Sequence, residues 1–166
     1  RIFKGDVADP AVSVDFVRDL DASVHLAGAN RASDREILAV NTFGVFNMLQ
    51  AMRSANPRAR LVLSSSFQVY TQWGNARAID ESTPPSPVAI YGISKKFAEE
   101  LCARYCADHG MEAVILRLSN VFGPGCKPDY NSVIATCVDR ALSGRPMTIH
   151  GDGSSRRDYI FVRDVA

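Results

Sequence analysis

The chain has 166 residues, 46% hydrophobic and 22% charged, with a formal net charge of +1. That is ordinary globular composition, with length enough for one domain and a core. The scattered, nearly balanced charge argues against a nucleic-acid surface, and no apolar stretch approaches the roughly 18 residues of a membrane span. The opening Arg1-Ile2-Phe3-Lys4-Gly5-Asp6 shows no signal-peptide pattern, and the lack of an initiator Met leaves open that the chain is a fragment. Cysteines at positions 102, 106, 126 and 137 show no metal-ligand spacing. They read as reduced thiols of a cytoplasmic protein, and no metal site is expected.

Short apolar runs alternate with longer amphipathic stretches. Ala22-Ser23-Val24-His25-Leu26-Ala27 is an expected strand ending at Gly28. Residues about 34–55, with Val40, Phe43, Phe46, Met48, Leu49 and Met52, are an expected helix. Arg60–Ser65 is a strand, and residues about 91–109 are a helix that stops at Gly110. Glu112–Leu118 is a third strand, and residues about 130–143 are a helix closed by Gly144. The strands are continuously apolar, which suits a parallel sheet covered on both faces. The alternation predicts a doubly wound α/β fold. Two loops, 71–90 and 121–132, are rich in Pro and Gly and are candidate substrate walls beyond the carboxyl ends of the strands.

Tyr91 and Lys95 carry the strongest chemical signal. Four residues apart on a helix, they share a face and can meet at one cavity. A free tyrosine is a poor base at neutral pH, and a nearby lysine cation is expected to favour its phenolate. Ser66 ends a strand at the carboxyl edge of the sheet and can bridge a substrate hydroxyl to the tyrosine oxygen. Together they form a Ser/Tyr/Lys proton relay beside a hydride acceptor. Three serines in a row, Ser64-Ser65-Ser66, dilute the signal of any one of them.

At this point the chain resembles the extended short-chain dehydrogenase/reductases, specifically nucleotide-sugar epimerases and dehydratases such as UDP-glucose 4-epimerase. The blocks that carry the likeness run in order along the chain. They begin with Gly5-Asp6-Val7-Ala8-Asp9, Val24-His25-Leu26-Ala27-Gly28 and Asn41-Thr42-Phe43-Gly44. Next come Leu63-Ser64-Ser65-Ser66-Phe67-Gln68-Val69-Tyr70, Asp80-Glu81 and Tyr91-Gly92-Ile93-Ser94-Lys95. The last are Leu116-Arg117-Leu118-Ser119-Asn120-Val121-Phe122-Gly123-Pro124-Gly125, Gly151-Asp152-Gly153 and Arg157-Asp158-Tyr159-Ile160-Phe161-Val162.

The resemblance implies a Rossmann-like fold and residue roles. Asp6 and Val7 would hold the adenine. Leu26, Ala27 and Gly28 would lie under the cofactor pyrophosphate, with Asn41 behind the catalytic serine. Ser64 and Ser119 would also touch the cofactor. Asn120 and Arg157 would grip the substrate diphosphate, Arg157 through the fork of its guanidinium. Thr148, Ile149 and His150 resemble a short strand that sandwiches the nucleobase, with Val133 and Ile134 beside it. Ser66, Tyr91 and Lys95 take the catalytic roles. Thr71 departs from the family's glycine after Val-Tyr, and Asn30 stands where some epimerases carry lysine.

Chemistry within the family turns on the residues after Ser66. Dehydratases carry an acid/base carboxylate pair there, and decarboxylating relatives a glutamate. This chain has Phe67 and Gln68, neither of which titrates. That favours NAD-dependent 4-epimerisation through a transient 4-keto sugar. NADP is not excluded, and UDP-hexose is the expected substrate. The other readings are another nucleotide-sugar-modifying member (dehydratase, decarboxylase or reductase) or a scaffold not competent alone. The second arises because the family's glycine-rich first β-α-β segment, roughly 50 residues, is not found before Arg1. The chain is therefore expected to be a single partial domain, residues 1–166, with a substrate-binding region starting at about 121. The resemblance also implies a homodimer, with the helices at about 34–55 and 91–109 pairing subunits as a four-helix bundle.

Overall fold

The structure, a computed structural model, describes residues 2–70, 78–128, 130, 132–149 and 151–166. Thr71 and His150 lie outside the described residues. The chain divides into two compact units, Arg1–Arg117 and Leu118–Ala166.

The first unit opens with a helix absent from the expected elements, α1 (Pro10–Val17). Its start is chemically plain. Asp9 caps it by accepting from the Ala11 N–H, and Pro10 occupies the first turn, where a missing N–H costs nothing. Strand β1 (Ala22–His25) follows and is two residues shorter than expected. The expected helix over 34–55 is broken into α2 (Asp34–Leu38), a π turn (Ala39–Phe43) and α3 (Gly44–Ala55). The break has a local cause. The Thr42 hydroxyl donates to the Leu38 carbonyl, the acceptor that an α-helical Thr42 amide would use. The ladder widens, and the Gly44 N–H reaches back five residues to Ala39.

Strand β2 (Arg60–Ser66) runs into one 3₁₀ turn (Phe67–Val69). Helix α4 (Ile90–His109) is stopped by Gly110, which takes the left-handed conformation at φ 64°. Strand β3 (Ala113–Leu118) completes a sheet in the order β1-β2-β3. β1 and β2 are parallel, with Ala22 opposite Arg60 and His25 opposite Leu63. Leu61 and Leu63 of β2 pack into one core with Val17 of α1, Leu49 and Met52 of α3, and Ala98 and Cys102 of α4.

All three helices thus serve one side of the sheet. Along β1, Ser23 and His25 are buried while Val24 is 60% exposed. Among the described residues, the face carrying Ser23 and His25 is the one that α1, α3 and α4 cover.

The second unit holds β4 (Asn120–Phe122), α5 (Val133–Leu142), β5 (Tyr159–Phe161) and α6 (Val162–Val165). β4 and β5 are parallel, with Asn120 opposite Tyr159. Phe122 contacts the rings of Tyr159 and Phe161. Gly123 sits at φ 138°, and a Cβ there would lie 2.7 Å from Val162 Cγ1. Ser132 caps α5, which is shorter at both ends than the expected 130–143. Residues 145–149 carry no regular structure, so the short strand expected at Thr148 and Ile149 is not formed. The local bonds run instead from the Arg140 guanidinium to Pro146 O and Thr148 Oγ1. Among the described residues, no helix is long and apolar enough to cross a membrane.

Candidate active site

The expected catalytic residues meet at the end of β2. Lys95 is buried, and its Nζ donates to the Ser64 carbonyl at 2.9 Å. The same nitrogen lies over the Tyr91 ring, 5.8 Å from its centre. Ser66 is buried, its hydroxyl accepts from the Gln68 N–H at 3.2 Å, and it draws the Tyr91 phenol pKa downward. Tyr91 and Lys95 rise from the first turns of α4, so both project from one helical face.

The electrostatics correct one expectation. Burial pushes the Tyr91 phenol above its usual range, and Ser66 only partly offsets it. Burial likewise pulls the Lys95 amine down. Desolvation disfavours phenolate and ammonium alike, and the cation lies over the ring face. His25, buried on β1, is pushed down to about 4 by burial and then by Lys95, and its Nε2 has no partner.

Asn41, set by the π turn, ties the site together. Its Oδ1 accepts from the Ala29 N–H at 2.8 Å, and its Nδ2 donates to Ala29 O at 2.9 Å and to Ser94 Oγ at 2.9 Å. Ser94 passes the contact on, donating to the Tyr91 carbonyl at 2.7 Å. Asn41 thereby holds the loop after β1 against helix α4. Gly28 sits in that loop. A Cβ there would lie 3.3 Å from Lys95 Nζ and 3.4 Å from Asn41 Oδ1. The missing side chain leaves a space beside the Lys95 amine and the Asn41 amide oxygen, polar surroundings that fit the polar middle of a dinucleotide.

The other expected cofactor residues are placed as follows. Asp6 Oδ1 accepts from the Ala8 N–H at 2.9 Å, closing its own turn. Val7 O accepts from Asn47 Nδ2 at 3.0 Å, and a Cβ on Gly44 would lie 2.9 Å from Val7 Cγ2. The segment is thus pinned to α3. Leu26 is exposed just past β1, beside Ala27, and Ser119 links β3 to β4.

Within the second unit, Asn120 Nδ2 donates to Asp158 O at 2.9 Å, which joins β4 to the residue before β5. The Arg157 guanidinium donates to the Arg156 carbonyl at 2.7 Å and is exposed. Ile134 lines a groove of about 400 Å³ with Phe122, Pro124, Val138 and Leu142, while Val133 is exposed.

Four residues near the relay were given no role by sequence reasoning: Gly92, Ser94, Glu99 and Arg117. Gly92 carried a signal. A glycine in the first turn of a helix is a poor helix former. Here a Cβ would lie 2.2 Å from the Gln68 carbonyl oxygen, so the turn after Ser66 packs directly on the helix backbone. Glu99 carried a weaker one, since it lies one helical turn beyond Lys95 on the same stripe.

Over residues 1–166 the sequence matches the NAD dependent epimerase/dehydratase family. The chain belongs to this family. The NAD dependent epimerases and dehydratases most like it include a putative UDP-glucose 4-epimerase of Methanocaldococcus jannaschii, 36% identical over 76% of this chain and 42% of its own length. A dTDP-glucose 4,6-dehydratase of Mycolicibacterium smegmatis is 30% identical over 99% of this chain and 50% of its own. Among solved structures, a UDP-N-acetylglucosamine 4-epimerase from Methanobrevibacter ruminantium M1, in complex with UDP-N-acetylmuramic acid, superposes with a TM-score of 0.91. It is 28% identical, and the match covers 99% of this chain and 54% of that one. The chain therefore spans about half the length of these relatives. The expected Rossmann-like parallel α/β fold is upheld by the likeness.

Proposed function

We propose that the protein epimerises C4 of a nucleotide sugar, with NAD as cofactor and a UDP-hexose as substrate. The observation that carries the choice of 4-epimerisation is the pair Phe67 and Gln68 directly after Ser66. In the structure they form the 3₁₀ turn packed on Gly92, and neither side chain can move a proton. Among the described residues, Tyr91 is the group at this place suited to take and return a hydroxyl proton. Elimination of water needs further acid/base groups at that place.

NAD supplies a hydride acceptor and donor when bound. The chain's own residues handle the proton and the orientation. Tyr91, whose phenolate Ser66 favours against the cost of burial, takes the proton of the C4 hydroxyl. The Ser66 hydroxyl holds the same oxygen while the C4 carbonyl forms. After the sugar turns over, Tyr91 returns the proton to the carbonyl oxygen. Asp6, Val7, Gly28, Asn41, Ser64 and Ser119 would hold the dinucleotide, with NADP as the other candidate. Asn120, Ile134, Thr148, Ile149 and Arg157 of the second unit would face the nucleotide sugar, and that unit would be the substrate side.

Two further assignments belong to the same reading. Leu38 and Phe43 before α3, and Ile93 and Phe97 one turn apart on α4, are exposed apolar residues. They suit a homodimer through a four-helix bundle. The free cysteines Cys102, Cys106, Cys126 and Cys137 suit the cytoplasm.

The test is turnover of UDP-glucose, UDP-N-acetylglucosamine and UDP-glucuronate by the full-length protein, with Tyr91→Phe as control. A 4-epimer that is lost in the mutant is expected. A 4-keto-6-deoxy product would overturn the argument from Phe67 and Gln68 in favour of a dehydratase.

A further inference from the structure

The proton relay rests on an ion pair that none of its members touches directly. Glu99 is buried on α4, one turn beyond Lys95 and two beyond Tyr91. Its two carboxylate oxygens take three contacts from Arg117 of β3. Nε lies 3.0 Å from Oε1 and 3.1 Å from Oε2, and a terminal nitrogen lies 2.7 Å from Oε2. Oε1 also accepts a short bond from the Ser65 hydroxyl. The other arm of Arg117 donates to the Tyr70 hydroxyl at 2.6 Å, and Tyr70 donates to Asp80 O at 3.1 Å.

The triple serine is thereby divided. Ser64 offers its carbonyl to Lys95 and Ser65 its hydroxyl to Glu99, while Ser66 draws the Tyr91 phenol pKa down. Helix α4 is hydrogen-bonded to the end of β2 at two successive levels, and the Glu99 level is the one built on an ion pair. The turn carrying Phe67 and Gln68 is held at both ends, by Gly92 against Gln68 and by Arg117 on Tyr70.

Stability alone does not explain a charge pair whose carboxylate is buried and whose guanidinium is half-buried. Desolvating two ions offsets their attraction, and apolar residues of like volume serve as well or better. What the pair supplies is direction, because the guanidinium fork and the carboxylate fix angles that methyl groups do not.

We propose that Glu99 and Arg117 are positioning residues: through Ser65 and Tyr70 they set where the Ser66 hydroxyl stands relative to Tyr91. The proposal rests on the epimerase reading for its kinetic consequence only.

The test uses full-length Glu99→Met/Arg117→Met, which removes both charges at once and leaves no unpaired charge, although the buried Ser65 hydroxyl loses its acceptor. The double variant is expected to fold, its thermal stability lowered only by the loss of that hydrogen bond. Its kcat on a turned-over UDP-sugar should fall about 100-fold, as expected for an ångström-scale misplacement, with KM within about twofold. Adding Ser66→Ala should lower kcat no further, because both changes remove the same placement. Its crystal structure should show the Ser66 hydroxyl turned or shifted from Tyr91. An unchanged Ser66–Tyr91 geometry, or an unchanged kcat, overturns the proposal. If the double variant does not fold, Arg117→Lys, which keeps the charge but loses the fork, takes its place under the same criteria. The crystallographic arm needs no substrate. If the native protein turns over no nucleotide sugar, the epimerase reading falls while the geometry still decides the positioning role.

Discussion

The two units handle polarity in opposite ways. In Arg1–Arg117 the polar residues Ser23, His25, Asn41, Ser65, Ser66, Ser94, Lys95 and Glu99 are all buried. In Leu118–Ala166 none of the described residues is buried. Proton chemistry benefits from the first arrangement, because fixed dipoles in a low dielectric need no reorganisation. A surface that admits a charged substrate suits the second. Catalytic losses should therefore come from the first unit with large effects, and binding losses from the second with small ones.

The largest effect should come from Tyr91→Phe. It keeps the ring and the packing and removes the proton carrier, so kcat should drop about 1,000-fold with little change in melting temperature. A steady-state assay beside a thermal melt checks both halves.

Next comes pH. His25 has a folded pKa of about 4 against 6.5 unperturbed, so the unfolded chain takes up the proton first. Stability from this group is complete above pH 6.5 and is lost as pH falls through 4. The full loss is about 3 kcal/mol. Urea unfolding of the full-length protein at neutral and acid pH should show it, and His25→Leu should flatten that part of the slope. An unchanged slope would mean that the buried polar core does not resist protonation as its burial implies.

Gly92→Ala ranks third. The new Cβ would meet the Gln68 carbonyl, a backbone atom that cannot turn aside. A cost of about 2 kcal/mol in unfolding free energy is expected, with activity falling alongside it. In the second unit, Arg157→Ala should raise KM for a UDP-sugar about tenfold and leave stability within about 0.5 kcal/mol. A large stability loss there would erase the contrast between the units.

What sequence reasoning reached, and where it stopped, follows the same physics. Helix α4 and its stop at Gly110 were legible because periodicity and a left-handed cap are local properties. So was the meeting of Ser66, Tyr91 and Lys95, since i and i+4 share a helical face and a strand end has a fixed edge. Helix α1 was legible too, in Asp9-Pro10, but its short apolar pattern was passed over. The π turn was not legible, because it keeps the helical composition and changes only which carbonyl Thr42 engages. The direction of the Tyr91 pKa was misjudged because proximity to Lys95 is written in the spacing and burial is not. Glu99 and Arg117 stayed hidden for a related reason. Glu100 is an equally good candidate partner on paper, and only the packed helix turns Glu99 inward and leaves Glu100 exposed.

The π turn has a consequence for how this segment can vary. Each residue in a helix advances the chain by about 100°. The widened turn is one residue of slack, and it sets the phase between α2 and the apolar face of α3. Substitutions at the exposed positions of α3 change chemistry locally and leave that phase alone. Deleting one residue between Leu38 and Gly44 would leave every side chain unaltered and yet swing Asn41 away from Ala29 and Ser94, or else rotate Leu49 and Met52 out of the core. The segment is therefore constrained in length more tightly than in composition.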